Sequence, residues 1–144
     1  MIEQDTIRLL RECDAGVKMG IDSIDDVLEY VNSEELKKHL IHCKDGHIRL
    51  DEKIRALLKE YHDEGKEPNP MAKSMSWLKT NVRLVMRESD QTIAGLMTDG
   101  CNMGVKSLSK YLNQYKAADE KSREIAEKLI KLEEEFVGQI RGFL

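Results

Sequence analysis

The stretch TDGCNMG, residues 98–104, decides how many long helices this chain can form. It contains the turn-forming pair Asp99–Gly100 and a second glycine, Gly104, so one alternative is that the chain turns here. The apolar or small positions around it nevertheless keep one helical spacing, which we call a seam: Ile93, Met97, Gly100, Gly104, Ser107 and Tyr111. We therefore predict that residues 98–104 lie inside a helix, at a cost of about 1 kcal/mol for each glycine relative to alanine.

Helix lengths favour the same interpretation. A turn at Gly100 would leave about 43 residues, and as one helix they would extend about 60 Å, against about 42–45 Å for the two N-terminal helices described next. Helices over about residues 90–115 and 118–143 match that length, with Asp119 and Glu120 at the start of the second. The seam of this last helix comprises Ser122, Ile125, Leu129, Leu132, Phe136, Ile140 and Phe143.

Two further seams lie in the N-terminal half. The first comprises Leu10, Cys13, Val17, Gly20, Ile24, Val27 and Val31. The second comprises Leu36, Leu40, Cys43, His47, Leu50, Ile54, Leu57 and Tyr61. They predict helices over about residues 3–31 and 34–63, and these should be antiparallel because only a tight turn, with Asn32 or Ser33 as N-cap, joins them.

The segment between the second and third long helices contains both prolines, in EGKEPNP at residues 64–70, and is predicted to begin as a loop. A shorter helix over about residues 72–87 follows from a shared face of Met75, Leu78, Val82 and Val85. No run alternates with period two, so no strand is predicted. We expect one all-α domain over residues 1–144: an up-down four-helix bundle with a long crossover connection that carries a short helix.

The composition argues against several classes of protein. The 23 basic residues are interleaved with 27 acidic ones, the net charge is -4, and no basic face indicates nucleic-acid binding. No apolar run approaches the roughly 20 residues of a membrane span, and the N-terminus lacks the layout of a signal peptide, so we expect a cytoplasmic protein. The three cysteines are far apart in sequence and are expected to be free thiols.

Several stretches resemble a bacterial ferritin-like family of unknown function that is related to the rubrerythrins. They are LLRECDAGVKMGIDSIDDVL, VNSEELKKHL, MSWLKTNV, and SDQTIAGLM with YLNQY after it. The resemblance covers most of the chain and implies a ferritin-like bundle. The wider superfamily implies a dinuclear iron or manganese site, built from one Glu on each of two helices and a Glu-x-x-His on each of the others.

The sequence departs from that ligand pattern. It contains no Glu-x-x-His, and its four histidines, His39, His42, His47 and His62, all lie on the second helix. The seams contain no carboxylate, Glu12 and Glu133 lie off theirs, and Asp14 and Asp99 at best flank theirs. We therefore expect neither catalytic residues nor a resident iron or manganese cofactor, because such a site needs hard oxygen ligands.

The remaining metal candidates are Cys43, His47 and Cys101. Cys43 and His47 lie one helical turn apart, Cys101 falls at a similar height, and thiolate and imidazole suit zinc or another soft metal. The simpler interpretation is two core cysteines and a hydrogen-bonded histidine. The glycines Gly16, Gly20, Gly46, Gly100 and Gly104 fall near mid-bundle, where they indicate either a ligand cavity or close packing.

Ile41 and Ile48 lie on the second helix opposite its seam and need cover, either from the crossover segment with Met75, Trp77 and Met86, or from a second subunit. We expect a non-catalytic ferritin-like bundle without a dinuclear site, which acts through self-association as a homodimer or through a protein partner. The alternatives are a protein that binds a metal or small ligand at mid-bundle and a ferritin-like iron-binding oxidoreductase.

Overall fold

The computed structural model describes residues 2–66 and 89–144. Over these ranges the chain forms four α-helices and no β-strand, which confirms the all-α class. The helices are α1 (Ile2–Leu28), α2 (Glu34–Glu60), α3 (Ser89–Gln114) and α4 (Glu120–Ile140), followed by a 3-10 turn at Arg141–Phe143. The short helix predicted over residues 72–87, with Met75, Trp77 and Met86, lies outside the described residues.

Residues 98–104 are helical throughout, as predicted, because α3 runs unbroken through Asp99 and Gly100. The register of the seam is partly wrong. Gly100 and Ser107 are exposed, whereas Cys101 and Leu108 are buried. A straight α-helix has 3.6 residues per turn, so a strict heptad pattern drifts around it, and the side chains with apolar surface take the inward positions.

Hydrogen bonds at the two ends of the bundle fix the helix directions. The backbone N–H groups of Asn32 and Ser33, between α1 and α2, donate to Asp90 at the start of α3. At the other end the N–H of Asp119, just before α4, donates to Thr6 Oγ1 at the start of α1. Therefore α2 and α3 run parallel to each other, and α1 and α4 run in the opposite direction.

Two of the predicted helix starts are confirmed by their caps. The Ser33 side chain accepts a hydrogen bond from Leu36 N at 3.3 Å and caps α2. The Asp119 carboxylate accepts one from Ser122 N at 2.9 Å and caps α4. In each case a short polar side chain satisfies an amide that the first turn of a helix leaves without a partner.

Over residues 2–66 and 89–144 the core consists of two apolar clusters, one toward each end of the bundle. The cluster at the end where α2 and α3 begin includes Ile24, Val27, Leu36, Leu40, Cys43, Ile93, Met97, Cys101, Phe136 and Ile140. The cluster at the other end includes Leu9, Leu10, Cys13, Val17, Leu50, Ile54, Leu58, Leu108, Ile125 and Leu129. No helix in the described ranges combines the length and apolar character needed to cross a membrane.

Candidate functional site

A central layer separates the two clusters and takes one residue from each helix. It consists of Gly20 on α1, His47 on α2, Gly104 on α3 and Glu133 on α4. Each lies in sequence between apolar residues of the two clusters, as His47 does between Cys43 and Leu50. Polar side chains from α2 and α4 therefore meet in the middle of the bundle, opposite glycines from α1 and α3.

The two glycines of the central layer are needed because the polar side chains occupy their space. A Cβ on Gly20 would lie 2.7 Å from Cδ2 and Nε2 of His47, and a Cβ on Gly104 would lie 2.6 Å from Oε2 of Glu133. At Gly46 the Leu132 side chain fills the corresponding space. Close packing, rather than a cavity, therefore accounts for these three mid-bundle glycines.

The hydrogen bonds of His47 fix which ring nitrogen carries its proton. Nδ1 lies 2.8 Å from the Cys43 carbonyl oxygen, which can only accept, so Nδ1–H is the donor. Cys43 Sγ lies 3.6 Å from the same nitrogen. The other nitrogen, Nε2, faces Glu133 Oε1 at 3.6 Å. That separation exceeds an ordinary hydrogen bond, so we describe this contact as an ion pair.

The charge of His47 follows from these neighbours. Burial lowers the pKa of His47, but its contacts with Cys43 and Glu133 outweigh that effect and raise the pKa to about 10. At neutral pH an imidazolium therefore faces the Glu133 carboxylate. The side chains are 2% and 10% exposed, so water barely screens the pair.

The structure brings together Cys43 and His47, two of the three candidate metal ligands, and buries Cys101 in the same apolar cluster. Burial raises the pKa of the Cys101 thiol, and the charges of Glu133 and Cys43 raise it further, which disfavours the thiolate that a metal ligand requires. Among residues 2–66 and 89–144, no three His, Cys, Asp or Glu side chains are grouped so that they could hold a metal ion.

The expectation that the interior lacks carboxylates is wrong, because Asp14, Asp51 and Glu133 are buried. On α4, Glu133 takes the inward position while its neighbour Leu132 is only half-buried. The spacing contained a signal for this, since Leu129, Glu133 and Phe136 are related by steps of four and three. The carboxylate is tolerated inside because His47 on α2 provides a cation.

Two further buried carboxylates lie on α1 and α2. Oδ2 of Asp14 lies 2.8 Å from Lys18 Nζ and accepts a hydrogen bond from the backbone N–H of Lys66 at 3.1 Å. On α2, Oδ2 of Asp51 lies 2.9 Å from Arg55 Nε. Each of the two carboxylates thus has a basic side chain one turn further along its own helix.

The Asp14 carboxylate also affects the protonation of Asp51. Burial raises the pKa of Asp51, and so does the neighbouring Asp14, while Arg55 and Lys18 oppose them, and the result is about 6. Within the described part of the chain, the Oδ1 atoms of Asp14 and Asp51 have no hydrogen-bond partner. Protonation of Asp51 below about pH 6 would provide a donor between the two carboxyls.

These donors do not fit the dinuclear site that the ferritin-like resemblance implies. Such a site draws carboxylates from all four helices and imidazoles from two of them. Here the central layer offers only His47 and Glu133, and α3 contributes Gly104 to it. Asp14 and Asp51 are instead paired with Lys18 and Arg55.

Comparisons of the chain with family models, curated proteins and solved structures gave no match. The class of protein therefore rests on the fold and the interior alone. Over the described residues it is a four-helix protein with a buried imidazolium–carboxylate pair at its centre.

Proposed function

We propose that this protein is a ferritin-like bundle without a dinuclear metal centre, which acts non-catalytically through self-association. The helix directions support the ferritin-like assignment. Because α2 and α3 run parallel, α2 ends and α3 begins at opposite ends of the bundle, which is the helix arrangement of ferritin-like folds with a single long crossover.

The observation that carries the proposal is the central layer. In a ferritin-like bundle the middle of the core is where side chains from all four helices meet around metal ions. In this chain the imidazolium of His47 and the carboxylate of Glu133 offset each other's charge there, and glycines replace the other two contributions. The charges of the central layer therefore balance without a bound cation.

Self-association is supported by the outward face of α2. Ile41 and Ile48, seven residues apart on that face, are 42% and 36% exposed. Large apolar side chains grouped on one face are typical of a surface that another protein covers. A homodimer is the simplest such assembly, because a two-fold interface uses the same surface of both copies.

The experiment pairs elemental analysis of natively purified protein with its mass in solution. We expect less than one iron or manganese per chain and a dimer mass by light scattering at micromolar concentration. About two irons per chain would instead support the iron-binding oxidoreductase. A monomer mass across that range would contradict self-association.

The second candidate is a protein that binds zinc or another soft metal at mid-bundle. The observation that favours it is the Nδ1–H hydrogen bond from His47 to the Cys43 carbonyl, since metal-bound histidines are commonly oriented in this way by the other ring nitrogen. Stoichiometric zinc that is lost in the His47→Gln variant would establish it, whereas zinc-free protein that binds none on titration would exclude it.

A further inference from the structure

The outward face of α2 carries a strip of exposed residues that lies away from its buried seam. We call this the outer strip. It comprises Glu34, Lys37, Ile41, Ile48, Glu52 and Arg55, all of them exposed. Their spacing of three, four, seven, four and three residues keeps them on one side of the helix. The centre of the strip is apolar and its two ends are charged.

The outer strip is complementary to itself when it is reversed. Its spacing is the same from either end, and positions related by the reversal carry opposite charges: Glu34 corresponds to Arg55, and Lys37 corresponds to Glu52. The apolar residue Ile41 corresponds to the other isoleucine, Ile48. Each half of the strip is thus the complement of the other half.

An antiparallel copy of α2 would satisfy this pattern. A two-fold axis that passes between residues 44 and 45 puts every residue of the outer strip at the same height as its complement on the other copy. Each oppositely charged pair then occurs twice, and one Ile41–Ile48 pair lies on each side of the axis, about 5 Å from it along the helix. An interface of this kind closes on itself and stops at a dimer.

We propose that two copies of this chain associate through the outer strip, with the two α2 helices antiparallel about that axis. This inference rests on the proposed self-association and names the surface that performs it. The isoleucines contribute apolar burial, and the charged pairs set direction and register, because a parallel or shifted pairing would bring like charges together.

The charged side chains of the outer strip are available for such pairing. Within residues 2–66 and 89–144, Lys37 and Glu52 take part in no ion pair. Arg55 contacts Asp51 through Nε, but its side chain is 63% exposed. Pairing across the dimer would therefore not require any interaction of Lys37 or Glu52 within the described part of the monomer to be broken.

The test is a charge exchange measured by sedimentation equilibrium at low salt. Lys37→Glu and Glu52→Lys each turn two attractive contacts into repulsive ones, so we expect each to weaken the dimer by about tenfold or more. The double variant restores opposite charges and should return to within about threefold of the wild type. A mixture of the two single variants should form a heterodimer.

Lys53→Glu is the matched control, because it makes the same change of charge at an exposed position of α2 outside the outer strip. It should leave the dimer constant within about twofold. Ile41→Glu tests the apolar centre and should give a folded monomer, with helix content checked by circular dichroism.

The outcomes separate this inference from the proposed function. A wild-type monomer would overturn both. A wild-type dimer that Lys37→Glu, Glu52→Lys and Ile41→Glu all leave intact would overturn the outer strip alone and point to another surface. Weakening by the single charge variants without recovery in the double variant would overturn the antiparallel arrangement.

Discussion

His47 and Glu133 face each other across the middle of the bundle, with Nε2 and Oε1 3.6 Å apart and an apolar cluster on either side. Such a pair contributes little when compared with apolar residues of the same shape, but removing one partner leaves a buried group without compensation. The layer thus constrains α2 and α4 to the one register in which the two charges meet.

Replacing Glu133 by Gln should lower the free energy of unfolding by roughly 1–3 kcal/mol at pH 7, because it removes the anion that faces His47. Folding raises the pKa of His47 from 6.5 to about 10, so the contribution of the pair is complete below pH 6.5 and is lost as the pH rises toward 10. Denaturant unfolding at several pH values should show that slope in the wild type and a reduced slope in the variant.

Glu135→Gln, at an exposed position of α4, is the control and should change little. Equal stability of the Glu133→Gln variant and the wild type at both pH 7 and pH 10 would mean that the two side chains are not paired.

The glycines of α3 provide a matched comparison. Gly104→Ala should destabilise the protein by about 1–3 kcal/mol, because the added methyl would lie 2.6 Å from Glu133 Oε2. Gly100→Ala meets no atom within 4 Å and should stabilise α3 by up to about 1 kcal/mol through helix propensity. Thermal unfolding of the two variants under one condition would check the opposite signs.

Gly20→Ala and Gly16→Ala form the equivalent comparison on α1. A methyl on Gly20 would lie 2.7 Å from the His47 ring, whereas one on Gly16 would meet no atom within 4 Å. Stabilisation by both Gly104→Ala and Gly20→Ala would contradict the close packing of the central layer.

Much of the fold could be predicted from the sequence, because the long helices follow from apolar spacing and short polar caps. Residues 98–104 illustrate this, since periodicity outweighed the local turn preference of Asp99–Gly100 and α3 continues through them. The side of the helix that Gly100 faces could not be predicted, because a glycine has no side chain whose burial fixes the register.

The polar interior was harder to predict, for a physical reason. Whether Glu133 can be buried depends on a cation from another helix, and a seam drawn on one helix contains no information about that partner. The same holds for Asp51, whose pKa is raised by burial and by Asp14 on α1. An apolar side chain gains free energy on leaving water whichever helix covers it, whereas a buried charge requires a partner from another part of the structure.

The Asp14–Asp51 pair should make the stability depend on pH in the mildly acidic range. Folding raises the pKa of Asp51 from 3.8 to about 6, so the folded state binds a proton at Asp51 more tightly than the unfolded state does. The contribution is therefore complete below pH 3.8 and is lost as the pH rises through 6. Asp51→Asn should raise the free energy of unfolding at pH 7 by about 1 kcal/mol, because a neutral amide removes a buried charge and its N–H can donate to Asp14 at every pH.

Unfolding measured at pH 4 and pH 7 would check this, with Glu60→Gln at an exposed position of α2 as the control. A variant less stable than the wild type at pH 7 would instead mean that Asp51 acts there as a carboxylate paired with Arg55.

Asp90 should stabilise the junction of three helices, because its carboxylate binds two amides that no helix satisfies. Oδ1 accepts a hydrogen bond from Asn32 N at 2.8 Å, and Oδ2 accepts one from Ser33 N at 3.0 Å. Asp90→Ala should therefore lower the free energy of unfolding by about 1–2 kcal/mol and speed hydrogen exchange at both amides.

The control is Asp99→Ala, at an exposed position of α3, which should lower the free energy of unfolding by less than about 0.5 kcal/mol. Unchanged exchange at Asn32 and Ser33 in the Asp90→Ala variant would show that Asp90 does not hold the start of α3 against this turn. It would also contradict the contact that brings the starts of α2 and α3 to the same end of the bundle.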